Sequence, residues 1–230
     1  MLNRLIDDLN DNINLNNIYR YPYFDYLIKE IETAKENMIF LIGEPGSGKT
    51  FLLRYIKNEY PDNYVLIDNP LFYKDKLFEL IKKTQNIGEK VILLDEAQLY
   101  DSNMLEHLRI FADKGNKLIF AMHKKESKKI LSLPQFKSRY TKILEMYPLD
   151  YKSFENYVYT LLMRYGLMSI IDKKVLKKVF KYSKGNFRLS KKILFTMLKL
   201  LQYSLDNKKK YVSLDSCIFE MAIYELKRSE

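Results

Sequence analysis

Eight residues, Gly43-Glu44-Pro45-Gly46-Ser47-Gly48-Lys49-Thr50, constrain this chain more than any other feature. They fit the pattern G-x-x-x-x-G-K-[ST]. They stand directly after the apolar run Met38-Ile39-Phe40-Leu41-Ile42 and directly before a segment with helical spacing. A buried strand, a glycine loop and a helix in that order form a cradle for polyphosphate: the glycines let the backbone turn its N–H groups inward, and the helix adds the positive end of its dipole. In such a cradle Lys49 bridges the β- and γ-phosphates of a nucleotide, and the Thr50 hydroxyl is a magnesium ligand. The nucleotide-contacting set is Gly43, Glu44, Pro45, Gly46, Ser47, Gly48, Lys49, Thr50 and Phe51.

The matching second element is Val91-Ile-Leu-Leu-Asp-Glu-Ala-Gln98, an apolar run ending in adjacent carboxylates. Asp95 is placed to hold the magnesium through water. Glu96, one residue on, falls on the other side of the strand tip, where it can take a proton from the water attacking the γ-phosphate. That pair points to transfer of phosphate to water rather than to a small-molecule acceptor.

Hydrophobic periodicity places these motifs in an α/β layer. Short apolar runs at Met38–Ile42, Tyr64–Ile67, Val91–Leu94, Lys117–Met122 and Lys142–Met146 read as strands. Helical spacing at Phe24–Lys35, Phe51–Glu59, Leu71–Lys83 and Ser102–Asp113 separates them. Alternation of this kind predicts a parallel sheet covered on both faces. Past Pro148 the period changes, and Tyr151–Tyr165, Lys173–Lys181, Leu189–Gln202 and Leu214–Leu226 all read as helices. Two domains are expected: residues 1–148 around the phosphate loop, and an all-helical lid, residues 149–230.

The charge is unevenly spread. The chain of 230 residues has a net charge of +10, yet residues 1–146 hold 22 basic and 21 acidic side chains. Within residues 172–192 there are nine basic residues and one acid, so one face of the helical part is expected to be strongly positive, suited to phosphates of DNA or of anionic lipid without base readout. Few aromatic residues interrupt it, which gives base stacking little support. No run approaches the roughly 18 apolar residues of a membrane span. The opening lacks the apolar core of a secretory signal, so a cytoplasmic address is expected. Cys217 has no second thiol for a disulfide or a metal cage, and is expected to be a half-buried small apolar side chain.

With these motifs in this order, the chain resembles the AAA+ ATPases, P-loop NTPases with a parallel sheet core and a C-terminal helical lid. The resemblance implies ATP and Mg2+ as ligands, held in the cleft between the two parts. It implies a polar sensor at the end of the fourth strand, where His123 stands. It implies an arginine reaching into a neighbouring subunit, matched by Arg139 in Gln-Phe-Lys-Ser-Arg139, and hence a homo-oligomer. It implies a second sensor arginine, matched by Arg188 in Gly185-Asn-Phe-Arg188. The stretch Leu93–Arg109, LLDEAQLYDSNMLEHLR, is similar to the ExeA/GspA family, ATPases serving type II secretion and DNA-uptake machines. Transposition ATPases of the TniB, MuB and TnsC kind share much of that pattern. The first implies a peripheral component working on an inner-membrane protein of such an apparatus, CtsP-like in outline. The second implies an ATP-dependent DNA-binding regulator.

Overall fold

The computed structural model describes residues 1–10, 19–68, 90–137 and 141–228, together with 77, 79 and 139. It divides into two compact units: Arg20–Tyr147, and a second made of Met1–Tyr19 with Pro148–Glu230. The boundary between the units falls between Tyr147 and Pro148, and residues 1–10 group with the helical unit.

In the first unit, α2 (Pro22–Thr33) opens with proline at its first position, where no N–H is needed. Next come β1 (Met38–Gly43), α3 (Lys49–Glu59), β2 (Tyr64–Ile67) and β3 (Val91–Leu94). They are followed by α4 (Ser102–Asp113), β4 (Lys117–His123), α5 (Lys124–Leu131), the short α6 (Pro134–Lys137) and β5 (Lys142–Met146). The strands form one parallel sheet in the order β2-β3-β4-β1-β5. β1 lies between β4 and β5, and all six of its residues are buried, as a strand covered on both faces requires. Its register runs from Met38 opposite Leu118 to Gly43 opposite His123 on one side, and from Ile39 opposite Lys142 to Gly43 opposite Met146 on the other. All five strands fall on the apolar runs read from the sequence. The helix expected over Leu71–Lys83 lies outside the described residues except at Leu77 and Glu79.

An aromatic cluster anchors one face of the sheet. Phe40 stacks on Phe120 with ring centroids 4.9 Å apart, and Phe136 meets Phe40 edge-on at 5.6 Å. Such pairs add about 0.5–1.5 kcal/mol beyond the area they bury. Phe136 thereby pins α6, the element just before Arg139, to the core.

In the second unit, α1 (Leu2–Asn10) joins α7 (Tyr151–Arg164), α8 (Lys173–Ser183), α9 (Phe187–Asp206) and α10 (Ser216–Arg228). Side chains of Asp150, Asp172 and Asn186 accept from the N–H groups of Ser153, Val175 and Leu189, capping α7, α8 and α9. α1 packs along α9 and buries Leu5, Ile6 and Leu9, and Tyr165 donates to Asp8 at 3.0 Å. Cys217 is exposed on α10, not half-buried as expected.

The turn between α8 and α9 requires glycine. Gly185 has φ +74°, and a Cβ there would stand 2.1 Å from the Leu149 carbonyl oxygen, whose residue donates its own N–H to Gly185 O at 2.9 Å. Gly185→Ala is expected to destabilise the helical unit by about 2 kcal/mol or more, the scale of a strained left-handed residue before the clash is added. A thermal melt checks this, with a fall of at least about 4 °C expected.

Candidate active site

The carboxyl ends of β1, β3 and β4 share one edge of the sheet, the edge at which open α/β sheets bind ligands. The loop after β1 turns through Gly46 at φ 78° and Gly48 at φ 105°, a region open to glycine and costly for other residues. A Cβ on Gly43 would meet Met146 O at 2.6 Å and Ser47 Oγ at 2.8 Å. Lys49, the first residue of α3, is only 6% exposed, and its ammonium donates to Gly43 O at 2.8 Å and Glu44 O at 3.1 Å. The lysine is thus folded back over the loop that holds it. Ser47 Oγ is buried without a hydrogen-bond partner among the described residues. An orphan hydroxyl of this kind costs about 1–3 kcal/mol, which a phosphate oxygen would relieve.

Asp95 follows β3 and is 2% exposed. Its carboxylate accepts from the Glu96 N–H at 3.0 Å and shares a hydrogen bond with the Thr50 hydroxyl. Both residues assigned to magnesium are therefore in contact. Among the described residues no group of three or more His, Cys, Asp or Glu side chains could hold a metal alone. One carboxylate with one hydroxyl suits Mg2+, which completes its shell with phosphate oxygens and water. The residues present fit a magnesium nucleotide.

Burial pushes the Asp95 carboxyl above the usual carboxylate range, while the Thr50 hydroxyl, the Glu96 N–H and the Lys49 charge pull the other way. The folded chain then holds that proton more tightly than the unfolded chain, so stability falls as pH rises through the raised value. Above it, the buried carboxylate weakens the fold. Asp95→Asn is expected to remove magnesium-dependent turnover and yet raise Tm at about pH 8, because the amide carries no charge into the buried position. A lower Tm in the variant at that pH contradicts the burial argument.

Glu96 has φ 48°, left-handed for a non-glycine residue, and begins a 3-10 turn, Ala97–Leu99. Its Oε2 accepts from Gln98 Nε2 and lies 3.5 Å from His123 Nε2. His123 stands opposite Gly43 in the β1–β4 register, and its imidazole lies between two carboxylates, Glu96 on the Nε2 side and Glu126 at 3.9 Å from Nδ1. Two residues at this edge carry no assignment from the sequence: Gln98, inside the quoted motif, and Tyr100, whose buried hydroxyl lacks a hydrogen-bond partner.

Arg139 lies elsewhere. Its guanidinium pairs with Asp113 through Nε–Oδ1 at 3.2 Å and Nη2–Oδ2 at 3.1 Å. Asp113 ends α4 just before β4 begins, at the amino edge of the parallel sheet, opposite the loop. Arg139 thus does not join the site of its own chain. Arg188 is exposed in the first turn of α9, in the helical unit.

A sequence model described as AAA domain matches residues 35–155. By sequence, no curated protein matches the chain. Among solved structures, domain III of the Thermotoga maritima replication initiation protein DnaA superposes with a TM-score of 0.64 at 15% identity, covering 92% of this chain and 95% of that one. The Thermotoga maritima RuvB Holliday junction branch migration motor gives 0.67 at 18% identity, covering 95% and 73%. The Aeropyrum pernix Orc1 protein, solved in complex with DNA, gives 0.63 at 13% identity, covering 90% and 64%. At these identities the likeness shows the fold alone, and it agrees with the AAA domain match over residues 35–155.

Proposed function

Since the chain belongs to the AAA domain family, whose model spans just over half of it, we propose that it is a magnesium-dependent ATPase that transfers the γ-phosphate to water. The observation that carries this is the convergence of Lys49, Thr50, Asp95 and Glu96 at one sheet edge, with Thr50 and Asp95 in contact. Bound magnesium supplies positive charge to the phosphate oxygens. Lys49 exchanges its two carbonyl partners for phosphate oxygens, Thr50 and Asp95 hold the metal, and Glu96 accepts the proton of the attacking water. The test is phosphate release from ATP with magnesium and with EDTA; equal rates in both would end this reading.

The work done with that energy is read from the helical unit. Lys173, Lys174, Lys177, Lys178, Lys181, Lys184, Arg188 and Lys192 are all exposed there. Lys178 pairs with Glu220 at 3.3 Å in the open, a contact worth little, and Lys173 reaches the largely covered Glu155 at 3.4 Å from an exposed position. α8 turns its apolar residues Val175, Leu176 and Val179 into the unit's core, which leaves no apolar face to enter a bilayer. Duplex DNA suits this face better than anionic lipid, and an ATP-dependent DNA-binding regulator is the finer reading it favours. The ExeA/GspA-like reading, a component acting on an inner-membrane secretion or DNA-uptake protein, is supported only by the sequence resemblance, over Leu93–Arg109 and in the pattern from Phe136 through Leu149 to Gly166. No described helix is long and apolar enough to cross a membrane. Duplex binding by ATP-loaded Glu96→Gln protein across a salt series separates the two: steep, ATP-dependent weakening supports DNA, and no binding at low salt removes it.

Arg139 serves in this proposal as the residue donated to a neighbouring copy, and Arg188 as the second sensor. The Arg139–Asp113 pair is partly exposed, so exchanging Asp113 for a phosphate costs about 1 kcal/mol or less.

A further inference from the structure

The turn after β3 holds a polar clamp that the assignments above leave unused. Gln98 Nε2 donates to Glu96 Oε2, and Gln98 Oε1 accepts a long hydrogen bond, 3.4 Å, from the backbone N–H of His123. The chemistry fixes the orientation of the amide: the backbone N–H can only donate and an ionised carboxylate can only accept, so a flipped amide would lose both bonds. The turn itself is anchored. Ala97 is fully buried, Leu99 N donates to Glu96 O at 2.9 Å, and the turn packs against β4 and α5. Glu96 keeps its left-handed backbone only because these surroundings over-determine it.

We infer that Gln98 is a positioning residue for hydrolysis: its amide, locked to the end of β4, sets where Glu96 presents its carboxylate. This rests on the reading of Glu96 as the general base. A Glu side chain has three rotatable bonds, and a general base works only within hydrogen-bond reach of the proton it takes. Tying one oxygen to a rigid strand end removes most of that freedom before the nucleotide arrives, the kind of pre-organisation that decides whether a catalytic group works. The anchor is a backbone N–H at residue 123, so the clamp does not depend on the imidazole. Gly43 lies directly across the β1–β4 register from that anchor, which puts the clamp beside the phosphate loop.

The test is Gln98→Met, which keeps the length and bulk of the side chain and removes both polar ends. The expected result is a kcat at least tenfold lower, with affinity for a non-hydrolysable ATP analogue within about threefold and Tm little changed. Made in the Glu96→Gln background and followed by single-turnover hydrolysis, the same change is expected to slow the reaction less than twofold further, because Gln98 acts through Glu96. A purely structural stitch would give the same fractional loss in both backgrounds, and that result overturns the inference, as does a wild-type kcat in Gln98→Met. Gln98→Glu, of the same shape, sets two carboxylates against each other and provides a second variant should the methionine fold poorly; it too must slow kcat for the inference to stand. Wild-type turnover by Glu96→Gln alone would bring down the general-base reading and the inference with it. Slow turnover there beside an unaffected Gln98→Met would bring down the inference only.

Discussion

Glu96→Gln is expected to bind ATP about as tightly as the unaltered chain and to hydrolyse it at least a hundredfold more slowly, the usual worth of a positioned general base. Glutamine has the size of glutamate and can still meet Gln98 and His123, so the turn and its left-handed backbone are kept. What it lacks is an oxygen that can carry the proton away. The hydrogen bonds that shape the loop run from Lys49 to Gly43 O and Glu44 O and from Thr50 to Asp95, and glutamine at position 96 keeps all of them, so affinity is expected to hold. Equilibrium binding of labelled ATP beside multiple-turnover phosphate release measures both quantities. Turnover near the unaltered rate would move the base to another residue.

Lys49→Ala acts one step earlier, on binding. The ammonium is buried and donates to two loop carbonyls, Gly43 O and Glu44 O. Alanine removes the positive side-chain charge that this loop brings to the β- and γ-phosphates and frees two carbonyls to repel them. Nucleotide affinity is expected to fall at least a hundredfold, about 2.7 kcal/mol, and turnover to become undetectable. Ligand-induced stabilisation gives a readout independent of catalysis. At a nucleotide concentration of about 100 Kd the unaltered chain gains about 2.7 kcal/mol, about 5–11 °C in Tm. Lys49→Ala is expected to show no more than about a sixth of that shift, and a full shift would remove Lys49 from the phosphate site.

The sheet and the loop were legible because both announce themselves locally. A parallel strand buried on two faces must be apolar at every position, as Met38-Ile-Phe-Leu-Ile42 is, and a phosphate loop needs glycine where φ is positive, as at Gly46 and Gly48. α1 was harder to see. Its buried residues, Leu5, Ile6 and Leu9, have helical spacing, but they sit among Asn and Asp in an opening whose composition reads as solvent-exposed. That it belongs with α9, far along the chain, is a matter of tertiary packing that no local pattern carries. The same holds for the contacts that locate Arg139 and Gln98. Asp113 is 26 residues from the arginine, and His123 is 25 from the glutamine. The Asp-Glu-Ala-Gln motif displayed Gln98 plainly, and only the strand order, with β4 beside β3, gives it something to hold.

The helical unit is assembled from both ends of the chain, and this governs how the molecule can be taken apart. A polypeptide of residues 20–147 retains every strand of the sheet and the whole phosphate loop. A polypeptide of residues 148–230 on its own would leave wet the stripe of α9 against which Leu5, Ile6 and Leu9 pack. The first ten residues are in effect a detachable subunit of the second fragment: supplied as a free peptide, or spliced on by circular permutation, they should complement it.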